Sequence, residues 1–268
     1  MRFISDDVRL HERVSREVMK TLLKLKWDST PPEMAHEVHK IVRSLTKNKD
    51  PYKDVKKESN DLVLNMYPEL KRRVEASKHP LRTAIKLAIA GNIIDYGALK
   101  AFDLRKTIKE VLEKKFAIDD YGKFKENLKD AKKLLFFTDN AGEVGFDKLL
   151  VETILKGKRF EQVRFVVKGG PIINDATLED AIYVGLSALP NVEFLTVSNG
   201  EVGTGPKRSS QIVKKWIEEH DLIISKGQGN YEGLSEHNGI FFMLIAKCPI
   251  IALDLSVDAK DIILRFNP

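Results

Sequence analysis

The chain contains one cysteine, two tryptophans and three glutamines among its 268 residues. A single thiol excludes an internal disulfide and a thiolate metal cage. Cys248 lies in an apolar stretch beside Pro249 and reads as a buried structural thiol. No apolar run approaches the roughly 18–20 residues that span a bilayer. The opening Met1-Arg2-Phe3-Ile4-Ser5-Asp6-Asp7 lacks the apolar core of a secretory signal, so the expectation is a cytoplasmic protein with no membrane partner. Low-complexity segments and solenoid repeats are absent. Charge of one sign is not concentrated either. The basic pairs behind the net charge of +6 (Lys56-Lys57, Arg72-Arg73, Lys132-Lys133, Lys214-Lys215) are dispersed among acids, whereas a nucleic-acid binder gathers them on one face. No nucleic-acid partner is expected. Many charges with little glutamine is the balance of an ion-pair-rich, thermophile-like surface.

What is present changes character near residue 130. Before it, apolar residues three and four apart mark helices near 6–26, 31–46, 53–76, 80–91, 104–115 and 121–131, separated by Pro, Asn, Asp or Gly. After it, strands are expected from about Lys133, Val163, Val192, Asp221 and Pro249, at the spacing of a strand plus crossover helix. Helical patterns lie between them near 144–156, 176–188, 209–219 and 235–247. The near-continuous apolar runs at 163–167 and 222–224 are those of parallel strands covered on both faces. The expected fold is α/β, a mostly parallel doubly wound sheet over residues 131–268, with an all-helical region over 1–130.

In such a sheet the strand carboxyl ends share one edge, where ligands bind. The turns expected there hold Asp139, Asn140, Gly142 and Glu143; Lys168, Gly169, Gly170, Asn174 and Asp175; residues 198–206; Lys226, Gly227, Gln228, Gly229, Asn230 and Glu232; and Asp254. Glycines permit close backbone approach, and turn amides with helix N-termini attract phosphate. Asp139, Asn140 and Asp175 offer hard oxygen donors suited to a divalent metal such as Mg²⁺ or Mn²⁺, and Lys226 a compact charge for a phosphate. Each has a plainer reading: Asp175 as a helix cap, Lys168 and Lys226 as solvated strand-end lysines. The set of turns on one edge favours a binding site. Pro206 stands where a phosphate-loop lysine belongs, so that motif is rejected. Glu33, His36 and His39 read as a helix surface, because one Glu-x-x-His is half of a di-iron site. His237 lies near the fourth turn. Asn92 and Asp95 interrupt an apolar helix, either as helix-end hydrogen-bonding groups or as groups facing the cleft.

Thr138-Asp139-Asn140-Ala141-Gly142-Glu143, Lys168-Gly169-Gly170-Pro171-Ile172-Ile173-Asn174-Asp175-Ala176-Thr177, Lys226-Gly227-Gln228-Gly229-Asn230-Tyr231-Glu232 and Ala90-Gly91-Asn92-Ile93-Ile94-Asp95 together resemble the damage-control phosphatases, domain-of-unknown-function family 89, over roughly residues 80–256. The resemblance implies a three-layer α/β/α Rossmann-like sandwich with a helical domain, and a phosphatase of small phosphorylated metabolites using one divalent metal (Mn²⁺, Co²⁺, Ni²⁺ or Mg²⁺). It implies Asp139, Asn140 and Asp175 as metal ligands, Lys226 near the phosphate, Asn92 and Asp95 facing the site, and the Lys-Gly-Gln-Gly-Asn signature of the stand-alone subgroup. The N-terminal cysteine pair of some members is not here. The remaining candidates, Lys168, Gly169, Gly170, Gly227, Gln228, Gly229, Asn230 and Glu232, are expected to contact substrate or phosphate. Glu143 is a candidate general base. The nucleophile is either water or Asp139; Ala141 occupies the place of the second acid that aspartyl-phosphate enzymes carry. Two rivals are an S-adenosylmethionine-dependent methyltransferase, for which Asp139-Asn140 is a poor glycine-rich turn, and a non-catalytic phosphometabolite-binding module.

Overall fold

The computed structural model describes residues 4–27, 31–92, 101–197 and 211–268. Where apolar residues recur at helical spacing, helices form: α1 (Val8–Leu22), α2 (Pro31–Thr46), α3 (Lys53–Glu75), α4 (Pro80–Gly91), α5 (Ala101–Glu113) and α6 (Tyr121–Asp130). Pro31 and Pro80 occupy first-turn positions, where a missing N–H costs nothing. The Asp7 carboxylate caps α1 by accepting from the Arg9 N–H at 2.9 Å. A two-residue strand, β1 (Ile118–Asp119), sits between α5 and α6, inside the segment expected to be helical.

Beyond residue 130 the order is β2 (Lys133–Phe137), α7 (Glu143–Leu155), β3 (Gln162–Lys168), α8 (Leu178–Tyr183), β4 (Val192–Val197), α9 (Gln211–Glu218), β5 (Leu222–Lys226), α10 (Gln228–Leu234), β6 (Ile240–Ile245), α11 (Pro249–Leu255) and β7 (Ile262–Asn267). The last third corrects the expectation. Residues 235–247, read as helix, contain β6, and the strand expected from Pro249 is α11. The run from Ile240 to Leu255 is apolar almost throughout, and periodicity alone cannot separate a buried strand from a buried helix. Packing does: every side chain of β6 is buried, while Ile250 and Leu253 of α11 face solvent. Asp254 is therefore a helical residue and accepts from the Tyr231 hydroxyl at 2.6 Å.

The seven strands are ordered β1-β7-β6-β5-β2-β3-β4. All neighbours are parallel except β6 and β7. Alternate side chains enter separate cores, as pleating requires. Leu134, Phe136, Phe165, Ile224, Phe241 and Met243 join one cluster with α3, α4, α5 and α7. Leu135, Phe137, Val166, Ile223, Phe242 and Leu244 join another with α9, α10 and α11. The sheet is thus covered by helices on both faces, and helices α3 to α6 share a core with it. Among the described residues no helix is long and apolar enough to cross a membrane. From β2 the chain goes to β3 on one side and later to β5 on the other. The crevice at the carboxyl ends of β2 and β5 is the switch point where open α/β sheets bind ligands.

Candidate active site

Both faces of β2 are buried, so its polar sequel must emerge at the strand's carboxyl end. The Thr138 hydroxyl and N–H both donate to Val166 O, at 2.9 and 3.1 Å. They extend the pairing with β3 and release the chain at Asp139. Gly142, with φ of 77°, turns it into α7 and donates its N–H to Asn60 Oδ1 at 2.7 Å. In the second turn Ile173 has φ of 42°, rare for a β-branched residue, and the Asp175 N–H returns to Ile172 O at 2.9 Å. The two turns then zip together. Asn140 and Asp175 form an antiparallel bridge, Ala141 N–H donates to Asn174 O and Ala176 N–H to Asp139 O, both at 2.8 Å. Main-chain hydrogen bonds therefore bring Asp139, Asn140 and Asp175 together.

Glycine at position 227 is a steric requirement. Its φ is 79°, and a Cβ there would lie 1.9 Å from Asp139 Oδ2. The β5 turn thus packs its bare backbone on the Asp139 carboxylate. Asp139 Oδ2 accepts from Asn92 Nδ2 at 2.6 Å and from Asn140 Nδ2 at 3.0 Å. Glu143 Oε2 accepts from the same two amides at 2.9 and 3.3 Å. Burial, then the charges of Glu143 and Asp175, raise the Asp139 carboxyl well above its ordinary range; Lys247 and Lys168 oppose this. Lys168 Nζ lies 3.5 Å from Asp175 Oδ2.

Lys226 stands differently from the phosphate contact expected of it. It is fully buried, and its ammonium donates to Glu143 Oε1 and Asp147 Oδ1 at 2.6 Å each and to Ala88 O at 2.9 Å. No N–H of the ammonium remains for a ligand. Despite burial, the two carboxylates raise the lysine's pKa. Asp147 is pushed up to about 7 by burial against the pull of Lys226, with Glu143 adding to the rise.

The rest of the fourth turn holds strands together. Gly227 N–H donates to Met243 O. Asn230 Nδ2 ties Thr138 O to Lys226 O, at 2.9 and 2.8 Å. Gln228 bonds Glu232, Cys248 Sγ and the Lys247 N–H. Cys248 is only half-buried, correcting the buried-thiol reading, because Sγ caps α11 at the Ile251 N–H. The plainer reading of Asp175 as a cap also fails: Thr177 is the cap residue of α8, its N–H and hydroxyl donating to Asp180 Oδ2 at 2.9 and 2.7 Å. Gly169, whose N–H donates to Val197 O, is exposed, and Gly170 beside it is half-buried. His237 lies in the turn that leads into β6, where its carbonyl accepts from Asn267 at 2.7 Å, on the edge opposite the site. His39 packs on Tyr52. Asp95 and residues 198–206 lie outside the described residues, as do the side chains of Glu33 and His36.

A second buried network was missed from the sequence. Asn60 on α3 accepts from Gly142 N–H and donates to Asp180 Oδ1 at 2.9 Å. Lys56 Nζ reaches Asp180 at 3.2 Å and Asp50 at 3.0 Å. Nothing in the charged sequence of α3 distinguishes Lys56 or Asn60 from solvated neighbours. Asp147 had a legible signal, an acid one turn after Glu143 in an apolar helix, because buried polar groups need partners. Lys247 stands at the end of β6, a strand misplaced from the sequence.

These groups fit a divalent cation. Asp139, Asp175 and Glu143 concentrate negative charge, and the carbonyl Oδ1 of Asn92, itself buried, has no hydrogen-bond partner among the described residues. Among the described residues no three His, Cys, Asp or Glu side chains are gathered so as to hold a metal ion by themselves. The donors that would hold it are two carboxylates and the Asn140 amide, a set suiting a hard ion that keeps water or phosphate oxygens.

The family model of the damage-control phosphatase ARMT1-like domain matches residues 1–263. A damage-control phosphatase of Archaeoglobus fulgidus is 34% identical over 98% of this chain and 92% of its own length. Damage-control phosphatase PH1575 of Pyrococcus horikoshii is 39% identical over 78% of this chain and 72% of its own. A crystal structure described as a DUF89 family protein from Pyrococcus horikoshii superposes with a TM-score of 0.86 at 33% identity, covering 100% of this chain and 93% of that one. With the bridged Asp139, Asn140 and Asp175 at the switch point, these likenesses establish that the chain belongs to the damage-control phosphatase ARMT1-like family.

Proposed function

We propose that the protein hydrolyses phosphomonoesters of small metabolites with the help of one divalent cation. The observation that carries this reading is the main-chain bridge between Asn140 and Asp175, which gathers oxygen-bearing side chains from two turns at the ligand-binding edge. Asp139, Asn140 and Asp175 would hold the cation. A cation there supplies charge to neutralise a phosphoryl oxygen as the ester bond breaks. Lys168 and Lys247, whose charges act on Asp139, draw the anionic substrate to the same edge. Glu143 has one carboxylate oxygen on Lys226 and the other on two amides, which suits it to orienting Asn92 and Asn140 more than to taking a proton from water. Ala141 leaves no acid two places after Asp139, so direct attack by water, giving inorganic phosphate and the free alcohol, is the favoured route.

Purified protein should release phosphate from p-nitrophenyl phosphate or a sugar-phosphate panel with Mn²⁺, Co²⁺, Ni²⁺ or Mg²⁺, and a chelator should stop it. Asp139→Ala should lose at least about a hundredfold in kcat while remaining folded. No release with any metal or substrate would remove the phosphatase reading.

A further inference from the structure

Three ionisable side chains, Glu143, Asp147 and Lys226, are buried without measurable exposure beneath the candidate site. Burying charges is expensive, and well-packed apolar side chains serve stability as well or better. A purely structural role therefore explains this cluster poorly. It also carries one carboxylate more than its single ammonium can balance, and Asp147 Oδ2 has no hydrogen-bond partner among the described residues. The bonds run in one direction, towards the site. Asp147 and Glu143 lie one turn apart on α7 and grip Lys226 Nζ at 2.6 Å each. Ala88 O of α4 takes the third ammonium proton. The far oxygen of Glu143 accepts from Asn92 and Asn140, and both amides also donate to Asp139 Oδ2. Gly91 lets α4 press on α7 at this point, since a Cβ there would fall 3.2 Å from Glu143 Cγ and 2.9 Å from Phe146.

We propose that Asp147 is a positioning residue of the site: with Lys226 it holds Glu143, and through Glu143 the amides of Asn92 and Asn140, against Asp139. This assignment rests on the phosphatase reading for its kinetic consequence, but its geometry belongs to the fold alone. Asp147 touches no substrate and acts through two intermediaries. Without it the ammonium is free to shift, Glu143 loses its fixed orientation, and the two amides no longer meet Asp139 in one arrangement.

The test uses the full chain with Mn²⁺ and p-nitrophenyl phosphate. Asp147→Asn keeps the shape and an acceptor for Lys226 but removes the charge. The expected result is a native circular dichroism spectrum and a fall in kcat of at least about tenfold, with KM within about threefold. Mn²⁺ binding by calorimetric titration should weaken several-fold. Combined with Glu143→Gln, the losses should not multiply, because both changes break one chain of contacts. Wild-type kcat in Asp147→Asn, or losses that multiply in the double variant, overturns the proposal. Should Asp147→Asn not fold, Asp147→Ser, which leaves room for a water at the ammonium, takes its place with the same two outcomes. If the wild-type protein releases no phosphate, the phosphatase reading fails separately, and the Mn²⁺ titrations of the same four proteins decide: non-multiplying losses support positioning, independent ones overturn it.

Discussion

A lysine at the end of an apolar strand has two physical fates, solvated or buried with counter-ions. Lys226 takes the second, and its partners lie 79 and 83 positions away in the sequence, where no local pattern links them. Gly227 is the reverse case. Its need for glycine is local in conformation, at φ of 79°, but its reason is the Asp139 carboxylate against its α-carbon. Gly227→Ala should displace that carboxylate and lower activity at least about a hundredfold; kcat near wild type would show that the turn can yield. The raised carboxyl of Asp147 makes a separate prediction about stability. Its ordinary value is 3.8 and its folded value about 7, so the native state binds the proton more tightly than the unfolded chain does. Its contribution is complete below about pH 4 and is lost as pH rises towards 7. Asp147→Asn should therefore flatten the dependence of unfolding free energy on pH between those limits, measured by urea titration at several pH values. An unchanged slope would show that Asp147 ionises freely.

At the scale of elements, α3 does more than cover the sheet. Asn60 joins the turn after β2, at Gly142, to α8, at Asp180, and Asp180 in turn holds Thr177, two residues after Asp175. One helix thus fixes both turns that carry the candidate ligands Asp139 and Asp175. Asn60→Ala leaves a buried N–H and a carboxylate short of partners, a loss of about 1–3 kcal/mol, which should lower the melting temperature by several degrees and weaken metal binding. A melting temperature and metal affinity equal to wild type would show that α3 is dispensable to the site. The helices α1 to α9 and the strands β2 to β5 were legible because each has its own period and its own breakers, whereas α10, with glycines at 229 and 233, read as a turn. β6 and α11 were not, since a continuous apolar stretch has no period to read, and burial on both sides distinguished them only after the sheet was assembled. The cap role of Cys248 follows from that same misplacement.

For the molecule as a whole, a cation bound to the native state alone stabilises it by mass action, about 2.7 kcal/mol at a hundredfold excess over Kd. Thermal unfolding should therefore shift upward with Mn²⁺ or Mg²⁺, and Asp175→Ala should remove the shift. A rise of equal size in that variant would place the cation elsewhere. The same logic ties the two cores to the site: clusters on both faces of the sheet hold β2, β3 and β5 in register, and the site is made of what their ends present.

The sequence by itself determined the alternation of strands and helices from β2 to β5, the polar turns that follow β2 and β3, and the oxygen-bearing side chains at Asp139, Asn140 and Asp175, because periodicity, breakers and side-chain type are local properties. Only the tertiary structure decided which of those groups stand at the open sheet edge and which are paired with one another in the interior. Lys226 was assigned to the interior by Glu143 and Asp147, and Asn60 and Lys56 were drawn from a charged helix into a buried network, because desolvation and pairing depend on neighbours that the chain brings together only on folding.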